Sequence, residues 1–531
     1  MLRINNLRVS LTDDTDLKTL AARRLKLPPG AIAGVEIVRR ALDARRKQNI
    51  SFVYSLDVTL TVAEGQVLSR LRGDRDIAVT AISPPEELVP GSAVLDGRPV
   101  VIGAGPAGLL AAYTLARHGY RPLLLERGRD VDARTRDVAQ FWQTGQFNPV
   151  SNVQFGEGGA GTFSDGKLTT RVTDPYMREV LDIFIAAGAP AAIRYVHKPH
   201  IGTDQLRRVV KKIRQEILAM GGEVKFETQV TGLVVKDGKL TGLTLNHNET
   251  VSCPLALVAI GHSARDTYEM LYRQGVTMEP KAFAIGVRIE HFQEIIDKAQ
   301  YGPMAGHPKL GPADYALVYH DRRNGRTAYS FCMCPGGVVV AAASEAGGVV
   351  ANGMSLYSRD SGLANSALVV NVNPADCGAH VLSGIEFQRR YEKLAFTCAG
   401  ENYYAPVQTV GDFLGMQGQN GSFLCEPSYR PGTVPVDLHR CLPRFVTDTL
   451  AGALPDFGRK IEGFDHPAAV LTGVETRTSA PVRLVRQPDY VSAGLEGLYP
   501  IGEGAGYAGG IMSAALDGLR AAMAVIKKYK V

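Results

Sequence analysis

The stretch RPVVIGAGPAGLLAAYTLARHG, Arg98 to Gly119, runs from a hydrophobic segment through three closely spaced glycines into an alanine- and leucine-rich one. VVI predicts a buried strand and PAGLLAAYTLARH a helix, since Pro106 suits a first helical turn, where its missing N–H would have no partner. Gly119 ends that helix, with His118 in its last turn. A second apolar run, RPLLLER, follows and closes on Glu126. Strand, helix and strand in this order make a βαβ unit, and its parallel strands place it in an α/β sheet.

The glycines Gly103, Gly105 and Gly108 have G-x-G-x-x-G spacing. Each has its own part in a dinucleotide site. Gly103 makes the tight turn, Gly105 lets a pyrophosphate touch backbone, and Gly108 lets helix lie close to strand. The helix N-terminus, with unpaired N–H groups and roughly half a positive charge, faces the pyrophosphate. Glu126 is expected to accept hydrogen bonds from the adenosine ribose. A glycine-marked turn is the bland alternative, but the ordered strand, helix, strand and acid favour a dinucleotide. The motif leaves NAD and FAD open.

Some four hundred residues later LYPIGEGAGYAGGIMSAALDGLRAA, Leu498 to Ala522, repeats the device. An NAD-only domain has no need of a second glycine-rich junction. FAD has, because adenosine and isoalloxazine lie at opposite ends of a long molecule. Glu503 stands where a strand ends and is expected to accept from a ribityl hydroxyl. Gly509 and Gly510 precede a helix whose Leu516, Leu519, Met523 and Ile526 form one apolar stripe. The N–H groups of Ile511 and Met512 would point at the flavin N1/C2=O edge, where a helix N-terminus stabilises an anion by ~0.3–2 kcal/mol.

The 531 residues predict two or three domains. With 45% hydrophobic and 21% charged residues the composition is that of a globular protein, and a net charge of +6 is too mild to argue for nucleic acid. Seven cysteines scattered from Cys253 to Cys441 make no disulfide framework and fit the cytoplasm. No signal peptide is evident, and no apolar run nears the roughly 18 residues of a membrane span.

Residues 1–90 read as β-α-β-β-α-β, with helices near Asp14–Leu25 and Glu64–Arg72, a ferredoxin-like α+β domain. SPPEELVPG, Ser83 to Gly91, is a linker by composition. An FAD-binding domain is expected in two parts, 97–280 and 473–531, around an inserted mixed α+β substrate or cap domain at 281–472. Within the first part, DQLRRVVKKIRQEILAMGG is a helix capped by Thr203 or Asp204, and KDGK, Lys236 to Lys239, is a hairpin turn.

The layout resembles the FAD-dependent oxidoreductase superfamily built on the glutathione-reductase-type fold. Its segments GAGPAG…LLLER, FGEGGAGTFSDGKL, KPHIGTDQL, AIGHSARD, FAIGVRIEH, FCMCPGG, NGMSLYSRDS, TGVETRTSAPVRL and IGEGAGYAGGI are similar to the bacterial family described as uncharacterised FAD-dependent (NAD/FAD-utilising) dehydrogenases. The resemblance covers nearly the whole chain and implies FAD contacts at Gly103, Gly105, Ala107, Gly108, Glu126, Arg127, the 157–168 loop with Gly158, Gly159 and Thr162, Val230, Gly261, Gly502, Glu503, Ile511 and Met512. Glu503 departs from the aspartate commonest at the ribityl position.

Between Val131 and Pro199 there is no cysteine, so the C-x₄-C pair of disulfide reductases is missing. No second complete βαβ unit built around a G-x-G-x-x-G turn is evident, so NAD(P)H is expected to dock only transiently. Cys332 and Cys334 would share one face of a strand; two packed small side chains are favoured over a thiol pair, and no metal-ligand set is evident. Candidate catalytic residues are Lys167, Arg288, His291 and Arg477, with Glu290 and Glu475 beside them, although a salt bridge or a solvated strand edge is favoured over catalysis for each. The cofactor performs the redox chemistry, so catalytic residues leave little motif signature. The rival class is a flavoprotein that binds or modifies RNA through the basic hairpin Arg39, Arg40, Arg45, Arg46 and Lys47, with Phe52 and Tyr54 on one strand face. Against it stand the missing second aromatic strand and RNP1 consensus.

Overall fold

A computed structural model describes residues 1–71, 73–80, 88–416 and 421–531. Within the linker, Ser83–Glu87 lies outside the described residues, as does Arg72 at the end of the second helix. The chain forms two units.

The first unit is a four-stranded antiparallel sheet in the order Ile32–Asp43, Ser51–Leu60, Leu2–Ser10, Ile77–Val79. Helices Leu17–Leu25 and Glu64–Arg70 connect its strands in β-α-β-β-α-β sequence. Leu2, Ile4, Ala21, Leu25, Leu56 and Val58 are buried together between sheet and helices. The first helix starts three residues later than its apolar periodicity suggests, because Asp16 accepts from the Thr19 N–H and caps it there. Two distant stretches, 190–199 and 297–313, join this unit and leave the contiguous ranges expected for the other domains. The Arg40 N–H donates to the Tyr195 carbonyl at 2.7 Å. The Arg40 guanidinium lies 5.3 Å from the Phe52 ring centre and 5.5 Å from that of Tyr195. The aromatic face on which RNA binding would depend is thus covered at Phe52 by the chain's own arginine.

The second unit holds a five-stranded parallel sheet in the order Leu498–Pro500, Ala256–Val258, Val100–Ile102, Leu123–Leu125, Glu223–Lys225. The first four strands are fully buried, as parallel strands covered on both faces must be. An antiparallel three-stranded sheet follows, and its hairpin turns through Asp237 and Gly238, both at positive φ, as a tight primed turn requires. Helix Thr203–Ala219 begins at Gly202, not at a side-chain cap. Thr203 is instead buried and donates its hydroxyl to the Thr162 carbonyl, while Asp204 accepts from the Tyr357 N–H at 2.8 Å.

From Phe283 the chain builds a seven-stranded, mainly antiparallel sheet around Phe283–Phe292 and Leu363–Val372. Strands Met278–Pro280 and Val482–Leu484 pair antiparallel where the chain leaves and re-enters. Strand Val470–Glu475 belongs to this sheet, so the inserted segment extends beyond residue 472.

The two glycine junctions meet in space. Helix Ile511–Lys528 packs on helix Pro106–Arg117, and a Cβ on Gly518 would lie 2.0 Å from the Ala107 carbonyl oxygen. The closing helix is therefore buried on more than the expected stripe: Ala514, Ala515, Gly518, Ala521 and Ala522 are buried as well, whereas Met523 is half-buried.

Candidate functional site

The turns after three parallel strands, at Gly103, Ala259–Gly261 and Ile501–Glu503, lie at their carboxyl ends and press on one another. A Cβ at Gly103, whose φ of +100° already favours glycine, would sit 2.4 Å from the Ala259 carbonyl oxygen; one at Gly504 would sit 2.7 Å from the Gly261 nitrogen. Ligands bind at this edge of open α/β sheets. Here a cleft of about 220 Å³ opens. Its wall runs from Glu126, Thr228 and Val230, past Gly103, Gly105, Gly159, Gly261 and Gly510, to Cys332, Asn352, Glu475 and Arg477.

Of the expected cofactor residues, Gly103, Gly105, Ala107, Glu126, Arg127, Gly159, Val230, Gly261, Glu503 and Ile511 line the cleft. Gly108, Gly158, Thr162, Gly502 and Met512 stand behind it. Their work is packing: a Cβ on Gly108 would meet the Gly103 oxygen at 1.8 Å, one on Gly158 the Thr162 hydroxyl at 2.0 Å, and one on Gly502 the Ala107 Cβ at 2.7 Å. Met512 is buried in the helix core. The Glu126 carboxylate accepts from the backbone N–H groups of Ala104 (2.8 Å), Gly128 (2.9 Å) and Gly156 (3.0 Å), bracing three loops, and its Oε2, which among the described residues takes only the Ala104 N–H, keeps an acceptor site at the cleft. Arg127 lies 4.2 Å over the Phe155 ring and pairs with Asp266 at 2.7 Å.

The fit to FAD rests on bare backbone. Helices Pro106–Arg117 and Ile511–Lys528 both start at a glycine, Gly105 and Gly510, without a side-chain cap, so both N-termini keep N–H groups for a ligand. A Cβ on Gly261, Gly509 or Gly510 would meet nothing within 4 Å, so each faces open space. Glu503 has a carboxylate without a hydrogen-bond partner among the described residues, and burial, eased by Lys281, pushes its pKa up to about 7. An elongated ligand with a central anion and hydroxyls fits this frame.

At the other end, Arg477 lies on the wall, with its Nε and Nη2 already forked onto Glu392 at 3.0 and 2.8 Å. Arg265 grips the same carboxylate at 2.7 and 2.9 Å. Burial opposes the Glu392 charge, but the two guanidiniums outweigh it and hold its carboxyl below the ordinary range. Lys167 also lines the cleft and donates through Nζ to the Met333 carbonyl. Its loop is pinned where Asp165 accepts from Arg359 Nε at 2.9 Å.

Arg288 and His291, by contrast, are fully buried and off the wall. Arg288 donates to Glu475 at 2.9 Å and to the Cys332 carbonyl at 3.3 Å, so it holds wall residues from behind. His291 Nε2 lies 2.7 Å from the Phe464 carbonyl, and burial pushes its pKa down to about 4. Glu290 is likewise buried, accepting from the Ser428 N–H at 3.2 Å. Strand register explains this: the strand is buried on both sides, so neither parity of Phe283–Phe292 reaches the cleft. Cys332 and Cys334 do not share a face in the expected way, because the pairing slips between Phe331 and Cys334 and Cys332 adopts φ +42°. Both line the cleft, where Cys332 is exposed and Cys334 buried.

Sequence reasoning missed His262, although its segment AIGHSARD follows a strand end where such residues gather. His262 lines the cleft. The Ser263 hydroxyl donates to Gln154 Oε1 at 3.3 Å, and that amide is oriented by Nε2 donating to the Ala342 carbonyl at 3.2 Å. Ser263 Oγ must then accept from His262 Nδ1, 2.8 Å away. The ring proton sits on Nδ1, leaving Nε2 as an acceptor with no partner among the described residues. Burial and the charges of Arg477 and Arg265 push the His262 pKa down to about 3.

Comparison with known proteins extends this picture. Residues 282–478 match the family model described as FAD-dependent protein, C-terminal domain-like; 101–151 match an NAD(P)-binding Rossmann-like domain; 1–59 match a domain of unknown function. A Clostridium beijerinckii protein described as "Uncharacterized protein" is 51% identical over 532 residues, spanning 99% of each chain. Solved structures with a similar trace include CtdE in complex with FAD (TM-score 0.33, 12% identity, 80% of this chain and 83% of that one). A geranylgeranyl bacteriochlorophyll reductase-like protein of Thermoplasma acidophilum gives a TM-score of 0.35 at 14% identity, over 80% of this chain and 76% of that one. Likenesses at these scores carry no argument about what the chain does.

Proposed function

The chain belongs to a family of FAD-dependent proteins that includes the Clostridium beijerinckii relative, and on that premise we propose that it is an oxidoreductase in which a small-molecule substrate exchanges a hydride with FAD held non-covalently in the cleft. One observation carries the reading: two helix N-termini free of side-chain caps, from opposite ends of the sequence, open on the same continuous cleft. FAD, when bound, supplies two-electron chemistry, and the protein supplies orientation and electrostatics.

The residues divide that labour. Gly105, Gly509 and Gly510 offer backbone to the pyrophosphate and flavin edge, and Glu503 offers a carboxyl to a ribityl hydroxyl. At the far end Phe331, Cys332, Met333, Asn352, Glu475, Arg477 and Thr478 form the substrate end. Arg477 and Lys167 give it positive charge, while His262 Nε2 stays an acceptor for a substrate O–H or N–H. Arg477 is engaged by Glu392, so its role is field and shape more than a free clamp.

NAD(P)H is proposed as a transient donor, since the second junction, where Gly504, Gly506 and Gly509 repeat the spacing, opens on the same cleft as the first and adds no separate nucleotide site. Seven free cysteines support a reducing compartment, the cytoplasm. Among the described residues no helix is long and apolar enough to cross a membrane. Nucleic acid is not among the proposed partners, because Phe52 lies beneath Arg40.

The test is an anaerobic screen of the purified holoprotein, mixing it with NADH, NADPH and a metabolite panel while following flavin absorbance. Bleaching by one donor supports the oxidoreductase. A yellow colour that survives every donor overturns it, and a colourless protein that refuses FAD overturns the cofactor assignment for this cleft.

A further inference from the structure

The second glycine junction, residues 501–510, is a long turn with little secondary structure of its own. Something must hold it against the cleft. Arg486, from the irregular segment after strand Val482–Leu484, contacts the residues that flank it, Pro500 and Asp517, and Tyr507 within it. Its Nη1 donates to the Pro500 carbonyl at 2.8 Å, where the last parallel strand ends. Nη1 and Nη2 fork onto Asp517 at 2.9 and 2.7 Å, on the second turn of the closing helix. Asp517 Oδ2 in turn accepts the Gly502 N–H at 2.6 Å. The guanidinium is sandwiched between the rings of Tyr507, 3.9 Å away, and Tyr490, 4.3 Å away. Tyr507 belongs to the turn, and its hydroxyl accepts from the Arg486 N–H at 3.3 Å.

We propose that Arg486, acting through Asp517 and Tyr507, is the positioning residue of the flavin end of the site. It stands off the cleft wall, yet it ties strand end, turn and helix into one body. That body sets where Glu503 and the uncapped N-terminus at Gly510 stand. A planar fork suits this role, since it bonds a carboxylate with two parallel N–H groups and stacks on aromatic faces together. Lysine can supply the charge without the fork or the stack. Because Arg486 and Asp517 are each about one-tenth exposed, the pair is little screened by solvent.

The inference rests on the reading of the cleft as an FAD site. Its test uses the full chain and three readouts: the FAD dissociation constant, the shape of the bound-flavin absorption band, and the flavin midpoint potential. Arg486→Gln is expected to weaken FAD about tenfold and to alter band and potential. Arg486→Lys should recover only part of each. Arg326→Gln serves as comparator. It breaks a similar forked pair with Asp376 at 2.6 and 2.7 Å, away from the cleft, and should lower thermal stability while leaving all three flavin readouts alone. Should Arg486→Gln fail to fold, Asp517→Asn carries the test, since an amide oxygen can still accept from Gly502 but loses the charge that orients Arg486. Wild-type affinity, band and potential in these variants overturn the positioning role. So do changes no larger than those of the comparator. If the wild-type chain itself refuses FAD, the fault lies with the reading of the cleft.

Discussion

Gly518 of the closing helix lies so near Ala107 of the first junction helix that a Cβ added to it would stand 2.0 Å from the Ala107 carbonyl oxygen. The contact joins two segments four hundred residues apart and sets the spacing of two helix N-termini on one cleft. Gly518→Ala should therefore cost about 1–3 kcal/mol by overpacking. Denaturant unfolding of the apoprotein would read it, and a wild-type midpoint would show that the helices can part cheaply.

Gly509 makes the opposite case. It lines the cleft, and a Cβ there meets nothing within 4 Å. Gly509→Ala should leave the apoprotein as stable as wild type while weakening FAD, measured by titration of the stripped protein. Together the two variants separate glycine needed for packing from glycine needed for a ligand.

Glu503 gives a pH dependence. Its folded pKa is raised to about 7 by burial, so between its ordinary range and about pH 7 the folded apoprotein holds a proton that the unfolded chain has lost. Stability at this site is full in acid and falls as pH rises through that window. Glu503→Gln should match wild type near pH 4 and exceed it by about 1–3 kcal/mol near pH 8. Parallel pH curves for the two apoproteins would refute this.

His262 should appear in ¹⁵N-histidine spectra of the holoprotein as a neutral ring with its proton on Nδ1, the signal identified by its loss in His262→Gln. Because the folded pKa is pushed down to about 3, the unfolded chain takes up the proton first as pH falls, so this ring lowers stability below about pH 6.5. Ser263→Ala removes the oxygen that fixes the tautomer and should give a mixture. A proton found on Nε2 at neutral pH would contradict the hydrogen-bond chain.

Glu392 is held by Arg265 and Arg477 and is almost wholly buried. Replacing it with glutamine leaves the buried Arg477 without its carboxylate, while Arg265 keeps Glu345 at 2.6 Å, and about 3–5 kcal/mol is the usual cost of breaking a buried pair. Thermal unfolding checks the loss, and Lys212→Gln, at an exposed helical pair, should be nearly silent.

Local sequence determined the two junctions, the cofactor they imply, and the order of most strands and helices. Those features depend on neighbours a few residues apart: a glycine where the backbone must turn, a proline at a first turn, alternating side chains along a strand. Which polar residues reach the cleft was settled only by tertiary structure. Arg288 and Glu475 meet across 187 positions, and Arg265 and Glu392 across 127. A slip in pairing at Cys332 turns its neighbours, and a buried sheet hides His291 while the strand end at Gly261 brings His262 to the cleft. Such outcomes depend on which distant surfaces pack together, and no local spacing encodes that.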